Sequence, residues 1–393
     1  MMRSNIQSAA IAILCVSLLL PRYNYAADAN KANLEKVVAH AVRPVMERYR
    51  IPGVAVGIVA KGQNYIYDYG TASKATGRAV TSNTLFEIGS ISKTFTATLA
   101  AYAQVNGKLA LTDMASKHLP SLRGTAFDQV SLLNLATHTS GGLPLQIPDD
   151  ITNNAQLMAY FQNWKPTYPP GSYRIYANTG IGMLGMIAAK SMREDFVMLM
   201  EGKLFPELGM KNTYLDVPKA QTENYAQGYT ATDTPVRMTP GVLASETYGI
   251  RTSVGDLLRF VEANMRMLAL DKKLQRAITD THTGYYRIGA MTQDLIWEQY
   301  QYPVKLQDML AGNSAKIIFE ANPVIAIDPP LQSKDDVLIN KTGSTNGFAA
   351  YVAFVPAKKM GVVILANKSY PIDARVTAAY EILTRLDDGS SKD

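Results

Sequence analysis

The sequence has almost no cysteine. Cys15 is the only one in 393 residues, and it lies inside the apolar run at 9–20. Downstream of that run there is no thiol for a disulfide, a Cys-based zinc site or a nucleophile. Histidine is equally scarce. The four histidines, His40, His118, His138 and His282, fall far apart with no H-x-H or H-E-x-x-H spacing, so a zinc hydrolase is disfavoured. Charged residues make up only 18% and form no basic stripe, which argues against nucleic acid as a partner. There is no low-complexity tract and no internal repeat, and 47% hydrophobic content is enough for a large core.

The apolar run follows Arg3 and precedes Asn24-Tyr25-Ala26-Ala27. A short positive region, an apolar core too short for a permanent span and small residues behind it form the pattern of a cleaved export signal. The expected leader is 1–26, giving a soluble periplasmic chain that starts near Ala27. Leu14 ahead of Cys15 argues against a lipoprotein. Losing Arg3 and Arg22 with the leader lowers the formal charge from +6 to +4.

Further on, residues 33–48 carry helical spacing, with Pro44 expected to kink or divide the helix. GVAVGIVAKG and QNYIYDYG read as a hairpin turning at Ala60-Lys61-Gly62. The pattern is then mostly helical to about 330. Strands return in VLINKTG, FAAYVAFVP and GVVILANK, and an amphipathic helix over 373–386 closes the chain. The economical assembly is an α/β fold: one antiparallel sheet from both chain ends (27–80 and 331–393), flanked by the terminal helices. A mostly helical lobe (81–330) is inserted. The groove between the lobes is the expected site.

Three short motifs point to that groove. Ser90-Ile91-Ser92-Lys93 opens the apolar stretch TFTATLAAYAQVNG, and residues three apart share a helix face. A serine at a helix start meets free N–H groups, and a desolvated lysine one turn on can help remove its proton. Taken alone the pattern is also that of a capping serine beside an unrelated lysine, and chance supplies about one or two matches in a chain this long. Lys341-Thr342-Gly343 ends a strand, and chance would supply it in roughly one such chain in ten. On an edge strand it offers a cation, a hydroxyl and close backbone approach. Tyr176-Ala177-Asn178 lies in a loop candidate ahead of a helix. Between ammonium groups such as Lys93 and Lys341, the Tyr176 phenolate would be favoured, which suits a proton shuttle for Ser90.

Ser-x-x-Lys, Tyr-Ala-Asn and Lys-Thr-Gly in this order resemble the serine β-lactamase and penicillin-binding protein superfamily. Tyr-Ala-Asn in place of Ser-Asp-Asn resembles its class C branch, the cephalosporinases, and disfavours class A. The likeness extends through LLNLATHTSGGLPLQIPD, PPGSYRIYANTGIGMLG, LFPELGMKNTYLDVP, GVLASETYGI and KTGSTNGFAAYVAFVPAKKMGVVILANKSYP. It implies β-lactam hydrolysis without a cofactor on a small-molecule substrate, and nothing in the sequence requires more than a monomer. It makes Ser90 the acylated nucleophile, with Lys93 and Tyr176 as proton-handling partners. Lys341, Thr342 and Gly343 would form the substrate-facing strand, and the N–H groups of Ser90 and Ser344 the oxyanion hole. Gln146 and Asn178 match positions that hold the substrate's amide side chain, Tyr248 a pocket wall, and Arg375 a second carboxylate contact.

Two positions depart from the pattern. Ile372 stands where many relatives carry asparagine. His138 stands where tyrosine is frequent, and its expected role is structural. A carboxylesterase of the same fold, a D-alanyl-D-alanine peptidase and a penicillin sensor without turnover are the alternatives the motifs leave open.

Overall fold

The computed structural model describes residues 25–390. Cys15 and all of the expected leader except Tyr25 and Ala26 therefore lie outside the described residues. The first helix, α1 (Tyr25–Tyr49), leads into β1 (Gly53–Ala60) and β2 (Gln63–Gly70). The connecting Lys61 and Gly62 both have positive φ, 50° and 75°, the backbone of a tight two-residue hairpin turn. After the middle of the chain come β3 (Gly284–Ile288), β4 (Met291–Gln293), β5 (Glu298–Gln301), β6 (Ile325–Leu331) and β7 (Val337–Ser344). The strands β8 (Ala349–Val355) and β9 (Met360–Ala366) complete a nine-stranded sheet in the order β6-β3-β4-β5-β7-β8-β9-β1-β2. Every pairing in it is antiparallel.

The sheet has two buried faces, and its strand sequences show why. In β1, Val54, Val56 and Ile58 face one cluster, while Ala55 and Val59 face the other. Tyr351 and Ala353 in β8 alternate with Val352 and Phe354 in the same way. A strand covered on both sides reads as a continuous apolar run rather than an alternating one. The first face is covered by α1 and the last helix, α2 (Ile372–Ser390), through Val38, Val42, Val376, Ala379 and Ile382. The second is covered by the helical region. There Leu258 sits over β1 so closely that a Cβ on Gly57 would lie 2.7 Å from it.

Three expectations need correction. The inserted region is not helical up to 330: β3 to β6 arise within 284–331 and extend the sheet beyond β7. Segments such as Glu298-Gln299-Tyr300-Gln301 carry no apolar alternation because their inward side chains are buried polar groups, Glu298 among them. Pro44 does not divide α1, which continues through it to Tyr49. It sits on the exposed side of the helix, where a carbonyl left without its N–H partner can bond water. Finally, the Lys-Thr-Gly strand is not at the sheet edge. β7 pairs with β8 on one side and with β5 on the other, but β5 reaches only from Val337 to Asn340. Lys341, Thr342 and Gly343 thus form a local edge inside a wide sheet, which keeps the physical requirement of an open strand.

Candidate active site

Ser90 lies in a single 3₁₀ turn, Gly89–Ile91, that feeds the buried helix Ser92–Val105. That helix has Phe95 in its first turn, stacked on Phe260 at 3.8 Å and edge-on to Phe205 at 5.8 Å. It ends at Asn106, with Gly107 at φ 66°. The turn is pressed against the end of β7. A Cβ on Gly89, whose φ is 51°, would fall 2.5 Å from the Ser344 backbone, and one on Gly343 would fall 1.9 Å from the Ile88 carbonyl. Both glycines let the serine turn and the open strand meet at backbone distance. A Gly343→Ala variant should therefore push the two apart, lowering stability by about 1–3 kcal/mol and reducing turnover at the same time. Thermal melts with steady-state kinetics check this; an unchanged enzyme would mean the strand has room to shift.

Lys93 is fully buried. Its Nζ donates to Ser90 Oγ at 2.9 Å and to the Thr247 carbonyl at 3.1 Å. Burial first, and then the nearby Lys341 charge, hold its pKa below the ordinary lysine value, against the opposing pull of Tyr176. Tyr176 is 7% exposed, with Lys93 Nζ 5.3 Å and Lys341 Nζ 5.4 Å from its ring centre. Burial pushes the phenol up. The Lys93 and Lys341 charges and the Ser90 hydroxyl beside it outweigh this and carry it below its usual value. The expected trio of Ser90, Lys93 and Tyr176 is thus assembled, with Lys341 on its far side.

Lys341 Nζ reaches Glu298 Oε1 at 3.4 Å. The same oxygen accepts from Arg174 Nη2 at 3.0 Å. Arg174 also donates to Gln293 Oε1 at 2.6 Å and to the Ile317 carbonyl at 2.7 Å. This network was not legible in sequence. Arg174 stands two residues before Tyr176, which is a positional hint, but Glu298 belongs to no local motif and arrives by strand pairing alone.

Ser90 sits where two cavities meet, with Gln146, Asn178 and Ser344 lining both. One, of about 260 Å³, is walled by Lys341, Thr342, Gly343, Ile317, Phe319 and Ile372. The other, of about 440 Å³, is walled by Tyr248, Met238, Thr345 and Asn346. Asn178 opens the helix Asn178–Met192, and its Oδ1 is buried with no partner among the described residues. Arg375, expected as a second carboxylate contact, sits behind the strand. It is 2% exposed and lines neither cavity. Its guanidinium donates to the carbonyls of Gly343, Ala350 and Tyr370 and to Ser344 Oγ. It holds the Lys341-Thr342-Gly343 strand from behind, because a cation buried there needs the acceptors the strand offers.

A nucleophile touching a lysine, a tyrosine biased toward phenolate and an open strand edge together suit acyl transfer. The β-lactamase family model matches residues 38–386. The chain belongs to the β-lactamase family. A β-lactamase of Lysobacter lactamgenus is 55% identical over 346 residues, covering 88% of this chain and 90% of that protein. A solved class C β-lactamase in complex with cefoxitin is 52% identical, with a TM-score of 0.89 over 91% of this chain and 99% of the other. The structure of D-alanine carboxypeptidase AmpC from Burkholderia cenocepacia is 55% identical, with a TM-score of 0.87 over 90% and 99%. The resemblance to the class C branch is thereby established, and so is the α/β fold with its large antiparallel sheet. Among the described residues, no helix of this β-lactamase is long and apolar enough to cross a membrane.

Proposed function

We propose that the protein hydrolyses the β-lactam amide of cephalosporins and penicillins through an acyl-enzyme on Ser90, conferring antibiotic resistance. The observation that carries this is the Lys93 Nζ to Ser90 Oγ contact of 2.9 Å beneath a cleft walled by Lys341 and Thr342. Ser90 Oγ attacks the lactam carbonyl and gives up its proton through Lys93 and Tyr176. The carbonyl oxygen becomes an anion facing the N–H groups of Ser90 and Ser344. The C–N bond breaks, the ring nitrogen takes the proton, and an ester remains on Ser90. A water then attacks that ester, with Tyr176 accepting its proton; the Ser90 Oγ–acyl bond breaks, Ser90 Oγ takes the proton back from Tyr176, and the ring-opened acid leaves.

The two cavities give the substrate its orientation. Lys341 and Thr342 face the carboxylate, while Gln146 and Asn178 hold the amide side chain and Tyr248 closes the second cavity. Ile372 gives the carboxylate end an apolar wall, so that end relies on Lys341 and Thr342. Arg375 acts by fixing Gly343 and Ser344. The leader pattern and cysteine-free remainder support a periplasmic enzyme that folds without oxidation.

The deciding experiment is steady-state hydrolysis of a cephalosporin beside a simple ester and a D-Ala-D-Ala peptide. Fast cephalosporin turnover is expected. Preferential ester or peptide cleavage would reassign the site, and acylation without turnover would make the protein a sensor.

A further inference from the structure

His138 brackets Tyr176. Its carbonyl accepts the Ile175 N–H at 2.8 Å, and its Nδ1 accepts the Ala177 N–H at 3.2 Å. Ile175 and Ala177 are the two chain neighbours of Tyr176, so one residue tethers the backbone on both sides of the phenol. Between the tethers the imidazole lies against the phenol ring, with centres 4.3 Å apart and planes at 39°. His138 is itself firmly held. It is 2% exposed and left-handed, with φ 59°, a conformation that costs a residue with a Cβ about 1–2 kcal/mol. The flanking Thr137 and Thr139 hydroxyls bond each other at 2.9 Å, and Asn134 Nδ2 donates to Thr139 Oγ1 at 3.1 Å.

The tether needs an uncharged ring, because Nδ1 accepts only while it carries no proton. Burial above all, and then the positive charges of Arg174, Lys93 and Lys341, keep the imidazole neutral well below its usual pKa. These cations come from three different elements. Glu298, which opposes the ionisation of Tyr176, adds a fourth charged group around the ring pair.

We propose that His138 is the positioning residue of Tyr176. It holds Ile175 and Ala177 in place and fixes the face of the phenol, so that the hydroxyl stays near Ser90 with both lysines in range. This rests on the proton-handling role of Tyr176 given above. His138 touches no substrate, and it differs from a space-filling residue in what its loss does to the tyrosine.

The test uses His138→Ala and His138→Asn in the intact enzyme. Alanine removes the ring and the acceptor. Asparagine offers an amide oxygen to Ala177 and tolerates the left-handed backbone. A misplaced catalytic group of this kind should lower kcat for a cephalosporin by roughly ten- to a hundredfold in His138→Ala, with KM nearly unchanged and much of the loss recovered by asparagine. The ¹³Cζ resonance of Tyr176, identified by its absence in Tyr176→Phe, should titrate at higher pH in His138→Ala, toward the ordinary tyrosine value of about 10. A wild-type titration of Tyr176 in the alanine variant would overturn the proposal. So would equal losses in both variants with that titration unmoved. If the alanine variant does not fold, the same resonance in His138→Asn decides: an unmoved titration with full activity retained supports the tether, and an unmoved titration with a kcat loss of roughly tenfold or more overturns it. Normal turnover by Tyr176→Phe would remove the tyrosine's proton role while leaving this resonance readout of its position intact.

Discussion

A Ser90→Ala enzyme should fold normally, keep its affinity for a cephalosporin and turn it over slower by roughly 10⁴ or more, the scale of nucleophile deletion in serine hydrolases. The size follows from the geometry. Lys93 Nζ is directed at Ser90 Oγ and at the Thr247 carbonyl, and its other hydroxyl neighbour is the Tyr176 phenol, which handles the proton rather than replacing the serine. Ser92 cannot take over, because its hydroxyl accepts the Ile250 N–H at 3.1 Å and it is wholly buried. Ser344 Oγ is bound by Arg375. Stability should change little, since Ser90 contributes a turn rather than a core side chain. Steady-state kinetics with a melting curve separates loss of chemistry from loss of fold.

Removing only the phenolic oxygen is the second large effect. Tyr176→Phe keeps the ring between His138, Lys93 and Lys341 and should lower turnover by roughly 10² or more. The sign of the pH dependence follows from the same neighbours. If the phenolate of Tyr176 accepts the proton, as proposed, kcat should rise as pH rises through its lowered pKa. Lys341→Ala removes one of the two stabilising charges and should move that rise to higher pH, while also weakening carboxylate binding. Rapid-quench kinetics assigns the step: normal acylation with stalled deacylation confines the tyrosine to the second half. Near-normal kcat in Tyr176→Phe would hand the proton to Lys93 or to the substrate's own amine.

What could be seen in sequence follows a physical division. Ser90 and Lys93 are one helical turn apart, so their contact is local and legible. Tyr-Ala-Asn and Lys-Thr-Gly are legible as motifs, yet only the fold brings them to Ser90. The two terminal strand regions were readable because strands buried on both faces form unbroken apolar runs. The strands between 284 and 331 were not, because they bury Gln293 and Glu298 instead. The pair of Glu298 with Arg174 crosses 124 positions, a separation that no local pattern encodes. Arg375 shows the converse: the residue can be picked out along the chain, but the direction of its guanidinium depends on acceptors in Gly343, Ala350 and Tyr370 that only the folded chain supplies.

The most direct test of the account is to quench the enzyme with a slowly hydrolysed cephalosporin and map the adduct by mass spectrometry. The ring-opened substrate should be found in ester linkage on Ser90 alone, and it should be absent from Ser90→Ala. An adduct on Ser92 or Ser344, or hydrolysis at full rate with Ser90 unmodified throughout, would contradict the acyl-enzyme assignment.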